Sequence, residues 1–349
     1  MRANLTLWLC LFAPLAGAQE QPPEQVFREQ VNIVVAPTTV LDRDGNYVHG
    51  LEAKDFILYD KNIQQDIRVD VTFLPISLVI AVQSDAAMEG VLPRIQKIGP
   101  MFRDLVFGEH GEAAVISFSH EVRVLQDFTS DPDRLSEGLK KLRPLASTSR
   151  LVDAVNDAVR MLRRRPGNRR RVILLISESR DKGSEGRVRE TLANAEFQNV
   201  SVYAVNVPRA LTAVTQSTPV PRPNPVPPSA RTAPAGAPMT PDTRDLGEYG
   251  NVMPAFEEII RGVKSIFIAN PVEVFTKYTG GKEYNFLTQK GLEEAVAAIG
   301  NELHSQYLIS YTPNNKLDGG YHDIRVVVRG RPGLQVRTRP GYWMAAVPN

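Results

Sequence analysis

The stretch Leu74–Met88, Leu-Pro-Ile-Ser-Leu-Val-Ile-Ala-Val-Gln-Ser-Asp-Ala-Ala-Met, constrains the fold more than any other part of the chain. Ser77–Val82 is a near-continuous apolar run, the pattern of a strand buried on both faces, and such strands belong to parallel sheets covered by helices. The run stops at Gln83, Ser84 and Asp85. Open α/β sheets place their ligands just past the carboxyl ends of parallel strands, so these three residues occupy the default site position.

The same grammar repeats downstream. Apolar residues at Leu92, Ile95, Ile98, Phe102 and Leu105 predict an amphipathic helix, and Glu112–Phe118 a strand with a short companion at Val122–Leu125. A helix from Pro132 carries Leu135, Leu139 and Leu142; a second carries Val152, Val155, Val159 and Leu162. Val172–Ile176 is another fully apolar strand, followed by a helix over Arg187–Asn199 and a strand over Val200–Val207. Strands alternating with helices of 10–15 residues imply crossover units and a doubly wound, mostly parallel sheet.

Pro208 to Asp245 holds ten prolines among Ser, Thr, Ala and Arg, too little apolar surface to offset ordering, and reads as a disordered insertion over 208–245. The α/β pattern then resumes with a helix pair, Phe256–Ile268 and Pro271–Thr279, a Gly280-Gly281 stop, a short Glu283–Phe286 strand, and a helix through Leu292, Val296, Ile299 and Leu303.

Both flanks are antiparallel in style. Short strands at Val31–Val35, Thr38–Leu41, Phe56–Tyr59 and Ile67–Phe73 are separated by Asp/Asn/Gly turns, as are Tyr307–Thr312, Tyr321–Val328 and Leu334–Thr338 near the other end. Asp42-x-Asp44-Gly45-Asn46 lacks the ligand order of an EF-hand and reads as a hairpin turn. Each flank alone is too small to close a core, so the two are expected to pair across the α/β block. The expected fold class is α/β: a doubly wound, Rossmann-like sheet over 74–303 inserted in a β-sandwich built from 19–73 and 304–349.

Residues 1–18 form a separate unit: basic Arg2, apolar Leu5–Leu15 and an Ala16-Gly17-Ala18 cleavage site predict a signal peptide and a secreted or periplasmic product. Cys10, the only cysteine, lies inside it, so the chain from Gln19 has no thiol or disulfide. The formal net charge of +2 gives no general case for nucleic acid or anionic membrane as partner.

Leu78–Met88 resembles the apolar strand and Asp-x-Ser-x-Ser-Met loop of a von Willebrand factor type A (vWA) domain. Leu151-Val152-Asp153-Ala154 after Ser149, and Ile173–Ser184, resemble two later segments of bacterial vWA domains. The flanks, with Val48-x-Gly50-Leu51, Asp55-Phe56, Ser305–Tyr311 and Pro340-Gly341-Tyr342-Trp343, are similar to the secreted bacterial VWFA-related proteins. The resemblance implies a metal-ion-dependent adhesion site, in which hydroxyls and carboxylates hold Mg²⁺ for a partner's carboxylate. This chain has Gln83 for the first Asp, Asp85 for the first Ser, Ala87 for the second Ser, Ser149 for the Thr and Glu178 for the last Asp. Only Ser149 and Glu178 keep their chemistry. Mg²⁺ tolerates misplaced oxygens poorly, so a degenerate, metal-free site is the expectation, and a rearranged Mg²⁺ or Mn²⁺ site of Asp85, Ser149 and Glu178 the alternative. Asp181 is a further candidate oxygen donor from the loop after Glu178.

The function expected on this basis is non-enzymatic protein binding through a face of Gln83, Ser84, Asp85, Ser149, Glu178 and Asp181. A metal-assisted adhesin and a periplasmic hydrolase are the alternatives. His49, His110, His120, His304 and His322 show no metal or catalytic spacing, and no Gly-x-Ser-x-Gly elbow, P-loop or Gly-x-Gly-x-x-Gly is present. Arg160, Arg163, Arg164, Arg165, Arg169, Arg170 and Arg171 form the densest charge run. It reads as a solvated helix end, with docking of an acidic partner or lipid headgroups as the alternative. No aromatics interleave it to stack on bases, which argues against nucleic acid.

Overall fold

In the computed structural model, residues 33–70, 74–103, 110–145, 147–209, 211–212, 270–314 and 320–344 are described. The expected signal peptide, the helix at 256–268 and all of the Pro-rich tract beyond Thr212 lie outside these residues.

The organising strand is β5 (Ile76–Gln83), every residue of which is buried. Parallel neighbours flank it, β6 (Glu112–Phe118) on one side and β8 (Arg170–Ser177) on the other. The sheet is completed by β9 (Val200–Asn206) and β10 (Glu283–Asn285), both parallel, and by the antiparallel edge strand β7 (Val122–Thr129). Alternate side chains of β5 supply two separate cores. Leu78, Ile80 and Val82 face α1 (Leu92–Ile95), α2 (Pro132–Lys140) and the long helix α6 (Gln289–Ser305); Val79 and Ala81 face α3 (Leu151–Arg163), α4 (Val188–Phe197) and α5 (Pro271–Tyr278). Each fully buried aliphatic side chain here contributes about 1.5–3 kcal/mol, which is why a strand with no polar face is stable only inside such a layered sheet.

The predicted helix is interrupted: Leu92–Ile95 is α-helical and a 3₁₀ turn at Gly99–Met101 follows, where Pro100 has no N–H to continue the ladder, while Leu105 lies outside the described residues. Leu92, Ile95, Ile98 and Phe102 are nevertheless all buried, so the apolar spacing identified the core face correctly. At the predicted Gly280-Gly281 stop, Gly280 has φ +81°, and a Cβ on Gly281 would sit 1.9 Å from the Val202 carbonyl oxygen. The two glycines therefore end α5 and let the chain cross the backbone of β9.

The flanking segments pair across the α/β block as expected. One sheet is β13-β1-β11-β4, with β1 (Val34–Leu41) and β4 (Ile67–Asp70) from before the block and β11 (Tyr307–Tyr311) and β13 (Gln335–Arg337) from after it. The other is β14-β12-β2-β3: β2 (Phe56–Asp60) and β3 (Ile63–Gln64) with β12 (Gly320–Val328) and β14 (Gly341–Met344). β1 runs unbroken through Pro37, where two strands were expected, and β14 was not read as a strand at all. Val34, Ala36, Phe56, Leu58, Tyr307, Ile309, Ile324 and Val326 form the inter-sheet core. The Asp42 turn is a hairpin turn: the Asp42 carboxylate accepts from the N–H of Asp44 (2.9 Å) and of Asn46 (2.8 Å).

A buried polar hub joins block and sandwich. Glu302, near the end of α6, accepts from Tyr203 Oη (2.8 Å) and Gln306 Nε2 (3.2 Å) and pairs with Arg337; Gln306 also donates to Thr39 Oγ1 (3.0 Å). At a second junction Glu196 of α4 is buried against Arg339 and the backbone of Trp343. Neither of its oxygens meets hydrogen-bond geometry with a partner.

The arginine run is divided: Arg160, Arg163 and Arg164 at the end of α3 are exposed, as a solvated helix end expects, whereas Arg165, Arg169, Arg170 and Arg171 turn towards the interior, against a reading of all seven as one surface patch. Arg165 clamps Glu112 with bonds of 2.7 and 2.5 Å, Arg169 donates to Ser77 Oγ (2.7 Å) and to the His110 carbonyl (2.7 Å), and Arg170 is buried on the Leu303 carbonyl and Gln306. Arg171 donates to the carbonyls of Gln198 (3.1 Å) and Arg165 (3.1 Å), and Arg160 to Asp157 (3.1 Å). The run leads into the first residues of β8 and so lies at the opposite end of the sheet from Gln83 and Asp85.

Candidate functional site

The parallel strands β5, β6, β8 and β9 end at one edge, which gathers the loops after Gln83, Phe118, Ser177 and Asn206. Cross-loop hydrogen bonds hold them together. The Ser84 N–H donates to the Phe118 carbonyl (2.8 Å) and its carbonyl accepts from Leu145 N (2.8 Å); Arg150 N donates to Ser119 O (2.9 Å) and Lys182 N to Ser149 O (2.8 Å).

Beneath this frame lie the expected site residues. Gln83, Ser84 and Ser149 are 0% exposed, Asp85 1% and Glu178 5%. Their side chains thus form a buried floor, whereas the sequence reading set them on an open contact face. The Gln83 carbonyl oxygen accepts from the Glu178 N–H (2.8 Å), which fixes the amide so that Nε2 is left without a partner. Both Asp85 carboxylate oxygens and Ser149 Oγ also lack a well-formed hydrogen bond. Burial pushes the Asp85 carboxyl above its ordinary range, aided by Glu178 and opposed by Gln83 and Lys182. Glu178 accepts from Thr212 Oγ1 (2.5 Å), and its other oxygen lies 3.8 Å from Lys182 Nζ.

Asp181 does something other than expected. Its Oδ1 accepts from the N–H groups of Leu151 (2.8 Å) and Val152 (3.3 Å) and from Ser184 Oγ (2.6 Å), capping the start of α3 from a neighbouring loop. A carboxylate at a helix N-terminus is favoured by the free N–H groups and the dipole. Asp181→Ala should therefore cost about 1 kcal/mol of stability in urea unfolding, as a lost cap does; an unchanged midpoint would show that the cap contributes nothing.

Residues not singled out in the sequence, two of them within the expected loops, complete the floor. Ser177 Oγ and Thr148 Oγ1 are buried and unpartnered beside Glu178 and Ser149, and Thr212 reaches Glu178 from a turn in which Leu211 N and Thr212 N both bond the Pro208 carbonyl. Pro208–Thr212, the start of the tract expected to be disordered, is thus part of the site. Its signal was hidden by the prolines that follow.

The donor set makes a poor octahedron for Mg²⁺: Ala87 offers no oxygen, both Glu178 oxygens face other partners and Gln83 presents an N–H, which leaves the Asp85 carboxylate and the hydroxyls of Ser149, Ser177 and Thr148. Among the described residues no three or more His, Cys, Asp or Glu are grouped to hold a metal ion.

Residues 94–180 match the family model described as von Willebrand factor type A domain, a span that includes Ser149 and Glu178 but stops short of Gln83 and Asp85. No curated protein matches the chain in sequence. Among solved structures, it is similar to an aerotolerance-related membrane protein from Bacteroides fragilis, at 14% identity over 65% of this chain and 98% of that one, with a TM-score of 0.41. The conserved hypothetical protein BatB from Bacteroides thetaiotaomicron aligns at 15% identity over 65% and 99%, TM-score 0.38. The vWF domain of the type V pili tip protein Mfa5 from Porphyromonas gingivalis aligns at 20% identity over 32% and 40%, TM-score 0.29.

Proposed function

We propose that this vWA-domain chain is an exported, non-enzymatic protein-binding module that engages its partner at the carboxyl edge of the parallel sheet without a bound metal. The observation that carries this reading is the set of loops at that edge. Hydrogen bonds between them, and the buried floor of Gln83, Asp85, Ser149 and Glu178, hold in place the exposed residues Ala86, Ser147, Arg180, Lys182 and Arg209. A preorganised rim forgoes the cost of ordering loops on binding. The family match supports an interaction role, since vWA domains generally serve as interaction modules. The leader-like Arg2, Leu5–Leu15 and Ala16-Gly17-Ala18 support export, and no helix among the described residues is long and apolar enough to cross a membrane.

The hydrolase alternative gains nothing from the acid–histidine pair found here. Asp60 and His322 are both 0% exposed at the centre of the sandwich, and the carboxylate is also held by Tyr311 and Tyr342, so no substrate reaches them.

Capture tests the proposal. Residues 19–349, immobilised and exposed to exported proteins of the source cells, should retain a partner saturably, and the double substitution Arg180→Glu, Arg209→Glu should weaken that retention at least about tenfold, as losing interface charges does. Retention unchanged by the loop substitutions but lost on altering the sandwich would place binding elsewhere.

A further inference from the structure

We infer that Lys182 is the resident cation of this site: its ammonium, tethered to the chain, takes the place a divalent ion would have and closes the floor to metal. Two carboxylates, Asp85 and Glu178, are buried within one small cluster. Buried carboxylates demand a compensating positive charge or strong donors, and the donors here are few. Glu178 has one hydroxyl, from Thr212, and Lys182 Nζ at 3.8 Å from its second oxygen. Neither oxygen of Asp85 has a well-formed hydrogen bond, only weak donors from Gln83 and Met88 nearby, and Lys182 lies close enough for its ammonium charge to favour the ionised form.

The placement of Lys182 is built into the backbone. Its N–H is fixed on the Ser149 carbonyl at 2.8 Å, and the preceding residue, Asp181, is anchored on the first N–H groups of α3. The stem therefore starts from a defined point at the mouth of the site. With 41% of its side chain exposed, it reaches inward from the solvent side and leaves the ammonium partly hydrated, which a lysine tolerates and a naked divalent ion bound by one free carboxylate does not. The neighbouring exchanges fit the same scheme. Gln83 puts a neutral N–H donor, and Ala87 no oxygen, at two positions where the family resemblance implies ligands, so the floor offers a divalent ion fewer oxygens while its two carboxylates still call for positive charge.

This role for Lys182 rests on the metal-free reading above, but is read by stability and metal binding, whereas partner binding is read by capture. The test uses residues 19–349 in two measurements. In the first, MnCl₂ is titrated into wild-type protein and Asp85→Asn by calorimetry. No saturable heat is expected at millimolar metal, and saturable heat that Asp85→Asn abolishes overturns the inference. In the second, thermal midpoints are compared for wild type, Lys182→Ala, Glu178→Gln and the double variant. Lys182→Ala is expected to lower the midpoint by roughly 2–4 °C in the wild-type background and by clearly less in the Glu178→Gln background, where one of the two charges it compensates is gone. A loss of equal size in both backgrounds, or in neither, overturns it. Should Lys182→Ala not fold, Lys182→Gln, which keeps the stem and removes only the charge, serves in its place.

Discussion

Asp60→Ala should cost about 3–5 kcal/mol of folding stability, the scale expected when one member of a buried, hydrogen-bonded polar cluster is removed. Asp60 closes β2 at the heart of the sandwich, with its Oδ1 2.6 Å from His322 Nδ1 and its Oδ2 accepting from Tyr311 (2.9 Å) and Tyr342 (2.8 Å). These partners sit on β11, β12 and β14, so one carboxylate links strands of both sheets. Its removal leaves two hydroxyls and an imidazole short of an acceptor in a dry core. Burial alone would raise the Asp60 carboxyl, but the bonds from His322, Tyr342 and Tyr311 outweigh it and hold the group below its ordinary range. The sign follows from that direction. A depressed carboxylate stabilises fully above the unfolded-state value near 3.9 and loses its contribution as pH falls through its lower folded value. Urea unfolding at neutral pH should thus separate wild type from Asp60→Ala widely, and the gap should narrow in strong acid. A difference within about 1 kcal/mol at neutral pH, typical of an ordinary single hydrogen bond, would mean that the hub contributes little.

Glu196 carries the opposite sign. Burial pushes its carboxyl up to about 8, against the opposing pull of Arg339 and the Trp343 backbone, so the folded state keeps a proton that the unfolded chain releases near its ordinary value of 4.5. Stability is then highest below that ordinary value and falls as pH rises towards the folded one. From pH 5.5 to 8 the loss amounts to about 3 kcal/mol, at about 1.4 kcal/mol per unit. Glu196→Gln, which mimics the protonated form, should unfold with a much flatter dependence over the same interval. Melting curves in matched buffers decide it: identical pH slopes in the two proteins would remove Glu196 as the source.

Much of the architecture could be read from pattern because its cause is local. Unbroken apolar runs at Ser77–Val82 and Val172–Ile176 have only one stable setting, the interior of a parallel sheet, and those runs became β5 and β8. Pairing of the two flanks followed from the smallness of each. What escaped depended on distant partners. Gly341–Met344 is four residues behind a proline, with no alternation to mark it, and becomes a strand only because β12 offers it an edge. The arginines before β8 look solvent-bound in sequence, and their inward setting appears only when Glu112, the Leu303 carbonyl and Gln306 are brought beside them. The site was legible in position but not in burial. Nothing near Asp181 announces that α3, on another segment, will take its carboxylate, and Thr212 is masked by the prolines that follow it.

The sandwich also dictates an order of assembly. Val34 pairs with Tyr311, and Leu41 with Gln335, so the first strand waits for partners that lie almost a full chain length away. The α/β block closes through nearer contacts, β5 with β6 and β8 with β9, and can condense while the N-terminal strands are still unmatched. Contacts of such unequal sequence separation form at unequal rates. The inserted block then serves as the clasp that shortens the distance between the two ends, turning a pairing across the entire polypeptide into one between neighbours. Until the last strands arrive, β1 and β2 present open edges, and this interval is when the chain is most exposed to mispairing with another copy of itself.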